Sequence, residues 1–256
     1  MPGRSEPRAR RRDAGDRPGL KKGDSLSPIR AVLFDAGATL LYPDPPAEEV
    51  YARELAADGA RFSPARLREA LAGAWREVHE RAVGDRYGGE QGEPEFWHAF
   101  LDRVRGSLDG GVVSAQAFER LARHFRDPRS WGVFPDVVPT LDRLEEAGLR
   151  LAVVSNWDSN LPSLLSGLEL ASRFQAVLVS AIERTGKPER EIFHRACARL
   201  EVEPGQALHV GDSRREDYQG AREAGLQALL LDRTGSFDGD ADQIRSLTEL
   251  AARLGL

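Results

Sequence analysis

The sequence predicts an α/β fold: a Rossmann-like, doubly wound parallel sheet with a helical insert after its first strand. Three observations carry this. Short apolar runs recur at Ile29–Phe34, Leu149–Val154, Ala176–Val179, Ala207–Val210 and Gln227–Leu231. None alternates with polar residues, which suits strands buried on both faces. Helical stretches at Asp136–Ala147, Leu161–Leu168, Glu189–Leu200 and Arg215–Ala224 lie between the runs, so strand and helix alternate. The long segment 45–131 shows no strand pattern.

Residues 1–28 come first and are expected to stay disordered. They hold eight Lys/Arg and four acids, with few apolar residues, so they cannot offset the entropy of ordering. No apolar core follows the charges, as a secretory signal would need. A mitochondrial transit peptide stays open, though scattered acids count against it, and the Arg8–Arg12 run leaves open contact with nucleic acid or an anionic surface. The folded part then splits into an α/β core, 29–44 and 132–256, and a helical cap, 45–131. In the cap, Leu67, Leu71, Ala74, Trp75 and Val78 keep helical spacing, as do Phe96, Phe100 and Val104, and Val113, Ala117, Leu121 and Phe125. Ser63-Pro64 reads as a helix start, and Gly88–Gly92 as a loop.

Bulk composition narrows the function classes. The net charge of −5 combines +4 over residues 1–28 with −9 over the rest, so the folded part has no basic surface for nucleic acid. No apolar run reaches membrane-spanning length. The one cysteine, Cys197, excludes an internal disulfide, fits the cytoplasm and reads as a core residue. The 36 cations include only three lysines, Lys21, Lys22 and Lys187. A lone Lys in an Arg-using fold marks a place where an ammonium is needed.

The polar residues past each strand end carry the chemistry. They are Asp35 and Thr39; Ser155, Asn156 and Asp158; Lys187; and Asp212, Glu216 and Asp217. Parallel strands would gather them at one edge, where carboxylates repel unless a hard divalent cation holds them. Taken singly, each has a plain alternative. Asp35 could form a turn, Ser155 could cap a helix, and Asp217 could balance a helix dipole. The five histidines show no ligand spacing and are assigned to packing or surface.

The motifs Phe34-Asp35-Ala36-Gly37-Ala38-Thr39, Val153-Val154-Ser155-Asn156, Gly186-Lys187-Pro188 and Val210-Gly211-Asp212 through Asp217 stand in order, each after an apolar run. In this the chain resembles the haloacid dehalogenase (HAD) superfamily, of the helical-cap type. It is similar to the haloacid dehalogenase-like hydrolase domain-containing proteins. The resemblance implies strand order 5-4-1-2-3, Asp35 as nucleophile, and Ser155 and Lys187 as catalytic groups. It implies Ser155, Asn156, Lys187 and Thr39 as substrate contacts. Mg²⁺ is expected on Asp35, Asp212, Asp217 and the Gly37 carbonyl. The implied substrate is a small phosphorylated molecule, and the implied protein a monomer or homodimer. Tyr42, Trp157 and Trp97 are candidates for lining the pocket.

Gly37 departs from the pattern. Relatives that act as phosphatases carry there a second Asp that protonates the leaving oxygen, help worth roughly 10²–10⁴-fold. The expectation is therefore a slow phosphatase, or one biased to good leaving groups. The alternatives are a 2-haloacid dehalogenase, whose halide needs no proton, and a non-catalytic binding protein of the same fold. A phosphonate hydrolase would need a lysine in the cap, and none occurs between Lys22 and Lys187.

Overall fold

A computed structural model describes residues 28–81, 85–108, 114–236 and 242–256. The expected basic extension lies, except for Pro28, outside the described residues, as does Val113. The chain opens with β1 (Ala31–Phe34) and β2 (Leu41–Pro43). Four helices follow: α1 (Ala47–Ala57), α2 (Pro64–Arg81), α3 (Glu93–Gly106) and α4 (Ala115–Arg126). Then come β3 (Trp131–Val133), α5 (Val137–Glu146), β4 (Arg150–Ser155), α6 (Leu161–Gly167) and β5 (Ala176–Val179). The remaining elements are α7 (Ser180–Glu183), α8 (Arg190–Arg199), β6 (Ala207–Gly211), a π-helical turn (Arg214–Gln219), α9 (Gly220–Glu223), β7 (Gln227–Leu231), β8 (Gln243–Ile244) and α10 (Glu249–Leu254).

The main sheet runs β5-β4-β1-β6-β7-β8, and every pairing in it is parallel. The five apolar runs thus stand in the expected order. The edge strand β8, two residues long, is too short to show a period. Every β1 residue is fully buried, because successive side chains feed opposite layers. Val32 and Phe34 join the cluster built with α5, α6 and α10, including Leu141, Leu165 and Leu250. Ala31 and Leu33 join the cluster with α8, including Ile192, Phe193 and Ala196. Two-sided burial explains why these strands carry no polar alternation.

Helices α1 to α4 bury their apolar stripes against one another, with Leu55, Leu67, Phe100 and Leu121 at the centre. α2 begins at Pro64, and Arg66 N donates to Ser63 Oγ. The strands β2 and β3 form an antiparallel ribbon where the helical unit leaves and rejoins the sheet. One difference from expectation matters for the site. The single helix expected over 215–224 is a π-helical turn followed by α9, with Tyr218 N donating to Ser213 O. Such wide turns occur frequently at functional sites. No helix among the described residues is long and apolar enough to cross a membrane.

Candidate active site

The carboxyl edges of β1, β4 and β6 meet where the polar residues were expected. Asp35 directly follows β1, and its N–H donates to Val210 O of β6. Ser155 ends β4 and hydrogen-bonds the Asp35 carboxylate. Lys187 arrives on the loop between α7 and α8 with a side chain only 1 % exposed. Its Nζ donates to Asp35 Oδ1 at 2.6 Å and to Asp217 Oδ1 at 2.5 Å. This is the one lysine outside the basic extension, and it lies between two buried carboxylates.

The π-helical turn places Asp217. Its carboxylate folds back over Gly211, where a Cβ would lie 2.2 Å from Asp217 Cγ. Only glycine leaves that room. Ser213 N donates to Asp217 Oδ2 at 2.9 Å. His209, fully buried within β6, holds Asp217 Oδ1 through Nε2 at 2.8 Å. Its Nδ1 has no partner among the described residues. Asp35, Asp212 and Asp217 each offer an oxygen within 4.8 Å of the others.

The electrostatics follow from burial and this crowding. Burial raises the Asp35 carboxyl above its ordinary value, opposed by Lys187 and reinforced by Asp217. Asp212 is pushed up to about 8, by burial first and then by Asp35 and Asp217. For Asp217, burial alone would raise the pKa, but Lys187 and His209 outweigh it and hold the group below the carboxylate range. Burial likewise works against the Lys187 ammonium, yet Asp217 and Asp35 raise its pKa above the usual lysine value. Asp217 is therefore the settled anion of the cluster, and Asp212 the frustrated one.

Other expected site residues are placed differently. Asn156 contacts the Lys187 backbone at both ends of its amide: Nδ2 donates to Lys187 O at 2.7 Å, and Oδ1 accepts from Lys187 N at 2.8 Å. Nδ2 also donates to Glu216 Oε2 at 3.0 Å. Thr39 is fully buried, its Oγ1 has no partner among the described residues, and its carbonyl accepts from Arg233. Tyr42 packs on Phe134, their ring centroids 4.8 Å apart. Trp157 stands against Gly37, where an added Cβ would lie 3.2 Å from Cζ3. The space beside the motif's missing acid is thus filled by an indole. Trp97 packs among Trp75, Phe96 and Phe100 and donates to Asp158 at 3.1 Å.

Sequence reasoning missed His209 and Arg86. His209 had a usable signal, a polar residue inside a doubly buried apolar strand. Arg86 had none. It lies in the loop between α2 and α3, and its Nη2 meets Glu216 Oε1 at 2.6 Å across 130 positions of sequence.

A parallel sheet with helices on both faces, a helical insert that touches the loops at its carboxyl edge and three carboxylates gathered there define a class, the α/β proteins of Rossmann-like topology with an acidic site at the strand ends. The chain belongs to the haloacid dehalogenase-like hydrolases, whose family profile matches residues 29–225. It is 35% identical over 210 residues to haloacid dehalogenase-like hydrolase domain-containing protein 3 of Homo sapiens, covering 79% of this chain and 82% of the relative. It is 30% identical to glyceraldehyde 3-phosphate phosphatase of Methanopyrus kandleri, over 80% of this chain and 84% of that protein. The crystal structure of a HAD phosphatase from Thermococcus onnurineus superposes with a TM-score of 0.62 at 27% identity, covering 89% of this chain and 98% of that one.

Proposed function

We propose that this hydrolase is a Mg²⁺-dependent phosphatase that acts through Asp35 on a small phosphorylated metabolite and favours good leaving groups. The observation that carries the reading is the convergence of three carboxylates on a buried Lys187. The donor set fits the ion. It is all oxygen, as hard Mg²⁺ prefers, and with every group ionised it leaves two negative charges uncompensated. Asp35, Asp212, the Gly37 carbonyl and, directly or through water, Asp217 would hold the metal. Bound there, it supplies Lewis-acid polarisation of the phosphoryl oxygens.

The chain's own residues then act as follows. An Asp35 oxygen attacks phosphorus; the new O–P bond forms as the ester P–O bond breaks, and the electron pair leaves with the ester oxygen. Ser155 lines the phosphoryl group, while Asn156 fixes the backbone of Lys187. The Lys187 ammonium offsets charge between Asp35 and phosphate. Water then cleaves the aspartyl-phosphate, releasing phosphate and restoring Asp35. Gly37 has no proton to give, so aryl and acyl phosphates are the favoured substrates. In this reading residues 45–131 cap the core formed by 29–44 and 132–256, and the chain works in the cytoplasm. The phosphatases among the relatives support the choice of substrate class.

One observation favours a second reading, a 2-haloacid dehalogenase. An aromatic ring, Trp157, fills the space beside Gly37, and a halide needs no proton to leave. One assay separates the two. Phosphate release from an aryl phosphate is measured with and without Mg²⁺, beside halide release from 2-chloropropionate. Mg²⁺-dependent phosphate release that vanishes in Asp35→Asn is expected. Halide release indifferent to chelator overturns the phosphatase; no turnover of either by folded protein points to the binding role.

A further inference from the structure

We propose that Arg86 is a positioning residue whose ion pair with Glu216 sets the placement of Lys187 when the helical unit seats on the sheet edge. The inference rests on the phosphatase reading for its kinetic test, but its geometry is independent. Arg86 belongs to the helical unit, Glu216 to the π-helical turn, and both side chains are almost fully buried. The contacts continue inward without a gap. Glu216 Oε2 accepts from Asn156 Nδ2, which also donates to Lys187 O, while Lys187 N donates to Asn156 Oδ1. Lys187 Nζ ends the series on Asp35 and Asp217.

Neighbouring contacts point the same way. Asp85 shapes the Arg86 loop by accepting from Tyr87 N at 3.0 Å and Gly89 N at 2.5 Å. Gly89, with φ of 75°, lies against Arg184, three residues before Lys187; a Cβ there would stand 3.3 Å from Arg184 Nη1. From α3, Glu93 accepts from Ser159 N and Oγ, and Trp97 donates to Asp158. The helical unit therefore grips the loop after Ser155 and the loop bearing Lys187.

The physics favours alignment over stability. A buried ion pair gives back little net stability once desolvation is counted, and the buried Arg86 Nε has no partner among the described residues. A planar guanidinium on a carboxylate is, however, a directional contact. It holds Glu216 where Asn156 needs an acceptor, and Asn156 holds both backbone groups of Lys187. Without Arg86, the buried Glu216 carboxylate loses the contact that aims it at Asn156 and can shift. A displacement of about 1 Å at a reacting group can cost about 10²-fold.

The test uses the full chain as Arg86→Met, Glu216→Gln and the double variant. With an aryl phosphate and Mg²⁺, kcat should fall about ten- to hundredfold in each single variant, with KM nearly unchanged. The double variant should be no slower than the slower single one, and methylguanidinium should partly restore Arg86→Ala. A second readout needs no turnover: the rise in unfolding temperature on adding Mg²⁺ with beryllium trifluoride, a phosphoryl mimic that binds an ionised aspartate. Asp35→Asn is its blank. The rise should be large in the wild type and reduced in both single variants. Unchanged kcat and unchanged rise overturn the proposal. So does a rise in KM alone, which would make Arg86 a substrate contact, or losses that multiply in the double variant. If the wild type releases no phosphate while the thermal rise still depends on Arg86 and Glu216, the phosphatase reading fails and the positioning role stands. A wild type with neither release nor rise sinks both.

Discussion

Replacing Lys187 by Met removes the ammonium and keeps most of the stem. The Lys187 side chain is 1 % exposed and bonds two carboxylates, Asp35 at 2.6 Å and Asp217 at 2.5 Å. Without it, Asp35 keeps the Ser155 hydroxyl, and Asp217 keeps His209 and the Ser213 amide. None of these is a fixed cation, because burial lowers the His209 pKa even though Asp217 opposes the shift. Removing one partner of a buried pair costs about 3–5 kcal/mol. At about 2–4 °C per kcal/mol for a chain of this size, the unfolding midpoint should fall by roughly 6–20 °C near neutral pH without metal. In the wild type, the lowered Asp217 pKa stabilises the fold above the unfolded carboxylate value of about 3.9, and that gain is lost as pH falls. The raised Lys187 pKa stabilises it below the unfolded value of about 10.4, and that gain is lost as pH rises through the folded pKa. The wild-type advantage is therefore full between about pH 5 and pH 10. In Lys187→Met the stranded carboxylates take up protons, so the deficit should shrink between pH 8 and pH 5. Thermal unfolding followed by circular dichroism, in chelator at both pH values, reads this directly. A divalent cation at about a hundred times its Kd should return about 2.7 kcal/mol. A midpoint within about 2 °C of the wild type at pH 8, or a deficit that grows on acidification, would refute the view that Lys187 neutralises this pair.

Two further predictions address the missing acid and the metal. Gly37→Asp should raise turnover on alkyl phosphates more than on aryl phosphates, because only poor leaving groups need the proton. The full gain of roughly 10²–10⁴-fold should need Trp157→Ala as well, since the new Cβ falls 3.2 Å from the indole; equal gains on both ester types in steady-state assays would sink the idea. Mg²⁺ affinity should rise with pH, because the ion must displace a proton from Asp212, whose pKa is pushed up to about 8. Calorimetry from pH 6 to pH 9 should show about a tenfold loss of affinity per unit below that value; a flat profile would exclude Asp212 as a ligand.

Much of the architecture was legible because two-sided burial writes itself into strands. A run such as Ala31-Val32-Leu33-Phe34 can afford no polar residue when alternate side chains enter opposite layers. The short elements were not legible. β8 has two residues and the β2–β3 ribbon three per strand, too few for any period to show. The π-helical turn at Arg214–Gln219 was expected as α-helix because its composition suits either; Asp217 folding onto Gly211 selects the wider turn. Lys187 stood out by rarity, whereas Arg86 was lost among 33 arginines.

What the sequence by itself determined was the set of buried strands and the family. The strands follow from local burial patterns and the family from motifs that each lie within a few residues; the strand order came only with the family resemblance. What only the tertiary structure decided was how the chemistry-bearing groups are held. His209 on Asp217, Trp157 on Gly37 and Arg86 on Glu216 join residues distant in sequence or on different elements. Such contacts leave no periodic trace, because they depend on which side chains the fold brings within hydrogen-bond or van der Waals reach. The motif at Asp35 raised the expectation of a nucleophile, and Gly37 already showed the missing acid; the packing decides which groups, Lys187 and Ser155, bond the Asp35 carboxylate.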